Sequence, residues 1–238
     1  MSQPYFQFKQ FTVWHDKCAM KVGTDGVLLG AWTPVKSSVR ILDIGTGTGL
    51  VALMLAQRST ASITALEIDE AAAAQATENI NRSPWKNRIE VIQQDFKHYS
   101  SKNGISKFDT IVSNPPYFNA SLKCSDEQRN KARHNDSLTY EELLAGVSGL
   151  LSQEGTFTIV IPMDVGEQIK TLAHNKYGLY PSRQLFIITK PGGAPKRTLI
   201  SFRFTKQTCE TEELLTETSR HQYSEKYIEL TRDFYLKM

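Results

Sequence analysis

The stretch Val39-Arg40-Ile41-Leu42-Asp43-Ile44-Gly45-Thr46-Gly47-Thr48-Gly49 constrains this chain more than any other. A short apolar run of strand type enters three alternating glycines, and residues 50–57 beyond them are good helix formers. Strand, glycine turn and helix make the opening βα unit of a doubly wound sheet, in which ligands sit beyond the carboxyl ends of the strands. The turn is not a dinucleotide fingerprint: in G-x-G-x-x-G the third glycine would fall where Leu50 stands, and an acid, Asp43, precedes the first glycine. Nor does a G-K-[ST] follow, which argues against a nucleoside triphosphate.

With no phosphate to cradle, Gly45, Gly47 and Gly49 let the backbone approach a compact zwitterion, such as the methionine part of S-adenosylmethionine. Two further acids fit such a ligand. Residues 62–66 read as the second strand, and Glu67 at its end is placed to accept from both ribose hydroxyls, with Asp69 and Glu70 as competitors. After a third strand at residues 89–92, Asp95 is a candidate acceptor for an adenine amine and Phe96 a candidate ring to pack on it. One acid therefore follows each of the first three strands.

The fourth strand, residues 108–112, runs into Ser113-Asn114-Pro115-Pro116-Tyr117. As a bare sequence this is an Asn-Pro turn after a strand. Beside a methyl-donor site it has a chemical reading. An aromatic exocyclic amine is a poor nucleophile because its lone pair is delocalised into the ring. The Asn114 side-chain oxygen and the Pro115 carbonyl can accept its two N–H groups and localise the pair, and Tyr117 can stack on the base. Proline lacks a backbone N–H and restricts φ, so the turn is stiff and its carbonyls remain available.

On these residues the chain resembles class I S-adenosylmethionine-dependent methyltransferases of the N-P-P-Y group. It is most similar to bacterial tRNA(Val) adenine-N6 methyltransferases, which modify the purine beside the anticodon. The closer likeness rests on Phe11-Thr12-Val13, His15-Asp16, the run from Cys18 through Lys21, Thr24 and Asp25 to Trp32, Ala132-Arg133-His134, the run from Lys190 to Arg197, and the ending around Leu230 to Leu236. The resemblance implies an α/β, Rossmann-like class I fold: a seven-stranded, mostly parallel sheet with an antiparallel C-terminal hairpin and a short N-terminal extension. It implies S-adenosylmethionine as methyl donor, a tRNA anticodon loop as partner, and adenine 37 of tRNA(Val) as acceptor, with no metal and no obligate protein partner. Expected domains are residues 1–38 as an extension or lid and 39–238 as the methyltransferase domain.

The remaining pattern fits that order. A helix over 137–151 with Ser137 as cap, a strand at 156–161, a helix at 165–175 and strands at 183–189 and 198–204 are expected. Thr24 reads as the cap of a helix through Ala31, and the segment of Lys21, Thr24 and Asp25 reads either as that cap alone or as a lid over the methionine end of the donor. Tyr223, Tyr227, Leu230 and Phe234 recur at helical spacing, as a docking face on the core rather than a base-stacking stripe.

A net charge of +3 excludes a strongly basic nucleic-acid coat, so RNA contact must come from local patches. Candidates are Lys17 and Lys21; Arg129, Lys131, Arg133 and His134; and Lys190, Lys196 and Arg197. His134 is read as a phosphate or loop contact rather than a catalytic base. Cys18, Cys124 and Cys209 show no metal spacing and are expected as reduced thiols. No apolar run has the length of a membrane span and no signal pattern opens the chain, so a cytoplasmic protein is expected. The alternatives are a protein glutamine methyltransferase or another RNA or DNA adenine N6-methyltransferase. The first usually carries a separate N-terminal helical domain, for which about 38 residues ahead of the first strand leave no room; the second normally needs an added target-recognition region.

Overall fold

The computed structural model describes residues 3–17, 21–115, 138–220 and 222–238. In strand β3 (Arg40–Ile44) side chains alternate between two cores, Ile41 packing on one face and Leu42 and Ile44 on the other. That period of two is what a central strand covered on both sides requires. Its parallel neighbours are β4 (Ser62–Glu67) and β6 (Phe108–Ser113), and β5 (Ile89–Gln93) lies beyond β4. On the other side of β6 come β7 (Leu151–Pro162), β9 (Arg197–Arg203), β8 (Tyr180–Ile188) and β10 (Glu210–Leu215).

Among the described residues the order β10-β8-β9-β7-β6-β3-β4-β5 makes eight strands, one more than expected. Seven match the expected sheet, with β9 antiparallel to β7 and β8. The eighth, β10, pairs parallel to β8 at the margin. Its sequence, Glu-Thr-Glu-Glu-Leu-Leu, is exposed except at Leu214 and half-buried Leu215, so it carries no strand-type alternation to announce it.

On one face of the sheet lie α1 (Thr24–Trp32), α2 (Leu50–Arg58) and α3 (Glu70–Asn81). The other face is covered by α4 (Phe96–Ser100), α5 (Tyr140–Leu150) and α6 (Gly166–Tyr177). α1 is buried along nearly its whole length, with Val27, Leu28 and Leu29 fully inaccessible. It belongs to the same core as Phe8, Phe11 and Val13 of the N-terminal hairpin β1 (Tyr5–Gln7) and β2 (Thr12–Trp14). The hairpin meets the C-terminal segment through a backbone bridge from Phe8 to Tyr235 and a stack of Phe8 on that ring. A small ribbon, β11 (Glu217–Ser219) with β12 (Gln222–Tyr223), precedes the last helix, α7 (Glu225–Thr231).

Two helix starts and one aromatic stripe differ from expectation. Thr24 is the first helical residue of α1 and Gly23 is its N-cap, without a side-chain bond, because the extended backbone that a cap requires falls at Gly23. Thr139, not Ser137, caps α5: its hydroxyl accepts from the Glu142 N–H and the Glu142 carboxylate accepts from the Thr139 N–H, a capping box. Ser137 itself lies outside the described residues. Tyr223 precedes α7 and Phe234 follows it, so the expected aromatic stripe spans more than one element.

Candidate active site

The three glycines of the turn after β3 are all left-handed, with φ of 71° at Gly45, 57° at Gly47 and 80° at Gly49. At Gly45 and Gly47 a β-carbon would meet nothing within 4 Å among the described residues, so conformation rather than crowding requires glycine there. At Gly49, the N-cap of α2, a β-carbon would also touch Ala76 and Ile80 of α3 at 3.5 Å. The turn is tied to β4, since the Gly45 and Thr46 N–H groups both donate to the Leu66 carbonyl at 2.9 Å.

Glu67 holds the turn from the other side. One carboxylate oxygen accepts from the Gly47 N–H at 2.8 Å, the other from the Ile68 and Asp69 N–H groups at 2.9 and 3.0 Å. Its competitors are engaged or displaced: Asp69 caps α3 by accepting from the Ala72 N–H, and Glu70 is an exposed residue in the first turn of that helix. A carboxylate has about four acceptor positions, so Glu67 keeps room for about one more donor unless a backbone N–H is released.

Asp43 is 1% exposed and accepts from the Thr46 hydroxyl at 2.6 Å. Burial pushes its carboxyl up to about 7; the Thr46 hydroxyl and the Ala52 backbone draw it down, and nearby Glu67 adds to the rise. Asp95 caps α4, accepting from the Lys97 N–H at 2.6 Å with one oxygen, while the other has no hydrogen-bond partner among the described residues. Phe96, read as a ring for a ligand base, is a core residue: a β-carbon on Gly146 of α5 would fall 2.5 Å from its ring, so the ring serves to seat α4 on α5.

Asn114 and Pro115 follow directly on β6, at the carboxyl ends of β3 and β4, with Asn114 half-buried and Pro115 buried. The Ser113 hydroxyl donates to the Ile44 carbonyl at 3.0 Å and locks the end of β6 to that of β3. The start of α1 reaches the same place. A β-carbon on Gly26 would lie 3.1 Å from the Leu50 side chain and 3.7 Å from the Asn114 Nδ2. Asp25 pairs with Arg197 of β9 at 3.4 Å, while Lys21, Thr24, Lys190 and Lys196 lie on the exposed surface around that end of the sheet. Tyr117, Arg129, Lys131, Arg133 and His134 lie outside the described residues, as do Cys18 and Cys124.

Two contributors carry no motif. Thr46 is legible only as a hydroxyl three residues beyond Asp43. Asn79, 1% exposed in α3, accepts from the Trp14 N–H and donates to the carbonyls of Trp14 and Thr48, each at 2.9 Å. It joins the N-terminal hairpin to the glycine turn, and its sole sequence signal is a polar residue on an apolar helix face.

Residues 23–175 match the family model described as the methyltransferase small domain. Over the full length of both chains the sequence is 74% identical to a tRNA1(Val) (adenine(37)-N6)-methyltransferase of Bacteroides fragilis. A protein of the same description from Pasteurella multocida is 45% identical, over 97% of this chain and 96% of that one. Among solved structures, a predicted O-methyltransferase from Agrobacterium tumefaciens shares the fold at a TM-score of 0.67 and 19% identity, covering 88% of this chain and 96% of its own. The M. jannaschii tRNA m1G37 methyltransferase does so at 0.60 and 14%, over 85% of this chain and 57% of that one.

Proposed function

The chain belongs to the tRNA1(Val) (adenine(37)-N6)-methyltransferase family, and from that premise we propose how its strand-end residues serve the reaction. The enzyme places a methyl group on N6 of adenine 37 of tRNA1(Val). The observation that carries the site assignment is the meeting of the left-handed glycine turn, Glu67 and Asn114 at the adjoining ends of β3, β4 and β6.

These residues suit S-adenosylmethionine as the donor. The glycine turn presents backbone without side chains, Glu67 offers an acceptor for a ribose hydroxyl, and the free oxygen of Asp95 offers one for an adenine amine. Asp43, through Thr46, fixes the shape of the turn. When bound, the donor supplies an electrophilic methyl group on a sulfonium centre.

The remaining work falls to the acceptor side. The Asn114 side-chain oxygen and the Pro115 carbonyl accept the two N–H bonds of the target amine, which localises its lone pair and aims it. Tyr117 stacks on the base. Lys21, Thr24 and Asp25, just before and at the start of α1, close over the donor; a β-carbon on Gly26 would lie 3.1 Å from the Leu50 side chain and 3.7 Å from the Asn114 amide, which supports a position between donor and acceptor halves. Arg133, His134, Lys190, Lys196 and Arg197 contact the tRNA backbone or loop. An adenine in an anticodon loop is unstacked at lower cost than one in a duplex. No helix among the described residues is long and apolar enough to cross a membrane.

Incubation with labelled donor and separate pools of unmodified tRNA, duplex DNA and ribosomal proteins tests this. Label is expected in tRNA as N6-methyladenosine; label confined to protein would overturn the assignment.

A further inference from the structure

Beside the proposed acceptor site lies a cavity of about 580 Å³. Gly23, Thr24 and Asp25 form one wall, and Tyr223, Tyr227 and Tyr235 form another. The tyrosines are stacked: Tyr223 on Tyr227 at 5.0 Å between centroids and 23° between planes, and Tyr227 on Tyr235 at 6.4 Å and 29°. The inner rings are fixed, since Tyr227 is 2% exposed and its hydroxyl bonds that of Tyr235 at 3.3 Å. The outer ring is different: Tyr223 is 42% exposed. Docking of α7 on the core accounts for Tyr227 but not for a solvated ring held flat on top of it.

The surroundings favour an aromatic ligand. Lys196, Arg197 and Lys237 also line the cavity, and so does Glu217. With Asp25 paired to Arg197 and Glu217 among the lining residues, the cavity is not a phosphate clamp. Its distinctive offering is a ring face with cations at the edge, the combination that holds single-stranded bases. Position narrows the ligand further. Asp25 is followed by Gly26, whose β-carbon would lie 3.7 Å from the Asn114 amide, so the first turn of α1 is a shared wall between cavity and acceptor turn.

We propose that this cavity is a second base subsite, in which the unpaired nucleobase adjoining the target adenine in the same RNA strand stacks on Tyr223. The proposal rests on the reading of Asn114 and Pro115 as the acceptor site for adenine. Two splayed bases, one on each side of the α1 start, fix the strand more firmly than one, and loop RNA is recognised through such bases.

The test uses the full-length enzyme and an anticodon stem-loop RNA, intact or abasic at the nucleotide immediately 5′ or 3′ of the target adenine. Tyr223→Ala is expected to raise KM for intact RNA about tenfold, with kcat and donor affinity unchanged, and Tyr223→Trp to restore it. One of the two abasic RNAs should raise the wild-type KM similarly, and Tyr223→Ala should add little on that RNA. Equal KM for intact and both abasic RNAs, or losses that multiply, would overturn the subsite while leaving adenine methylation standing. Failure of the wild type to methylate the intact stem-loop or whole tRNA at adenine would remove the acceptor reading and the subsite together.

Discussion

Gly26 abuts Asn114: a β-carbon on the glycine would stand 3.7 Å from the amide nitrogen. Alanine fits at that distance, and its neighbour at 3.1 Å is the end of the flexible Leu50 side chain. Gly26→Ala should therefore keep most activity and change the melting temperature little. Gly26→Val adds branches that crowd the amide, and about a tenfold or greater loss of kcat is expected, by analogy with other small misplacements of reacting groups. Steady-state kinetics with thermal melts on both variants check this.

Asn114→Ala removes an acceptor required as the amine loses its planarity. A loss of about 10² to 10³ in kcat is expected, the range seen when one stabilising hydrogen-bond partner is removed from a transition state. Donor affinity, measured by calorimetry, should hold. Wild-type turnover in this variant would refute the role given to the amide.

Asp43 makes stability depend on pH. Its folded-state pKa is raised from 3.8 to about 7, chiefly by burial, so between those values the folded protein holds a proton that the unfolded chain releases. This contribution is fully present below pH 3.8 and is lost as pH rises through about 7. The stability of wild type relative to Asp43→Asn should accordingly decline across that window, as read from urea unfolding at stepped pH. Thr46→Val removes a hydrogen bond that lowers the pKa and should move the end of the window upward.

Asn79→Ala leaves the Trp14 N–H and the Trp14 and Thr48 carbonyls without their partner. Destabilisation of about 2 to 4 kcal/mol is expected, since unsatisfied groups out of solvent cost about 1 to 3 kcal/mol each and Trp14 is only half-buried. Because Thr48 belongs to the glycine turn, donor affinity should weaken as well. Urea unfolding and calorimetry read the two effects separately.

The parts of this architecture that were legible in the sequence are those whose physics is local. Gly45, Gly47 and Gly49 mark within five residues a turn that side chains do not cover, and Glu67 and Asp95 stand out as acids at or just past the ends of strands. Asn79 does not, because its partners Thr48 and Trp14 lie 31 and 65 residues away. Phe96 misleads for a related reason: a ring after a strand-end acid looks alike whether it meets a ligand or, as here, Gly146 fifty residues on. Thr24 was separable from Gly23 for the capping position only by backbone conformation, whereas Thr139 carries the T-x-x-E signature of its capping box in the sequence.

The parallel strand β10 closes the sheet with Glu210, Glu212 and Glu213, all exposed. An open sheet margin is a template on which a second chain can add its own strand, and clustered like charge is one way natural proteins discourage that. Two copies approaching margin to margin would bring Glu210 and Glu213 of each together, beside Glu212, which Arg183 of β8 already pairs at 3.1 Å. The segment that the pattern of apolar residues failed to announce thus gives that margin a charge that disfavours strand addition by a second copy.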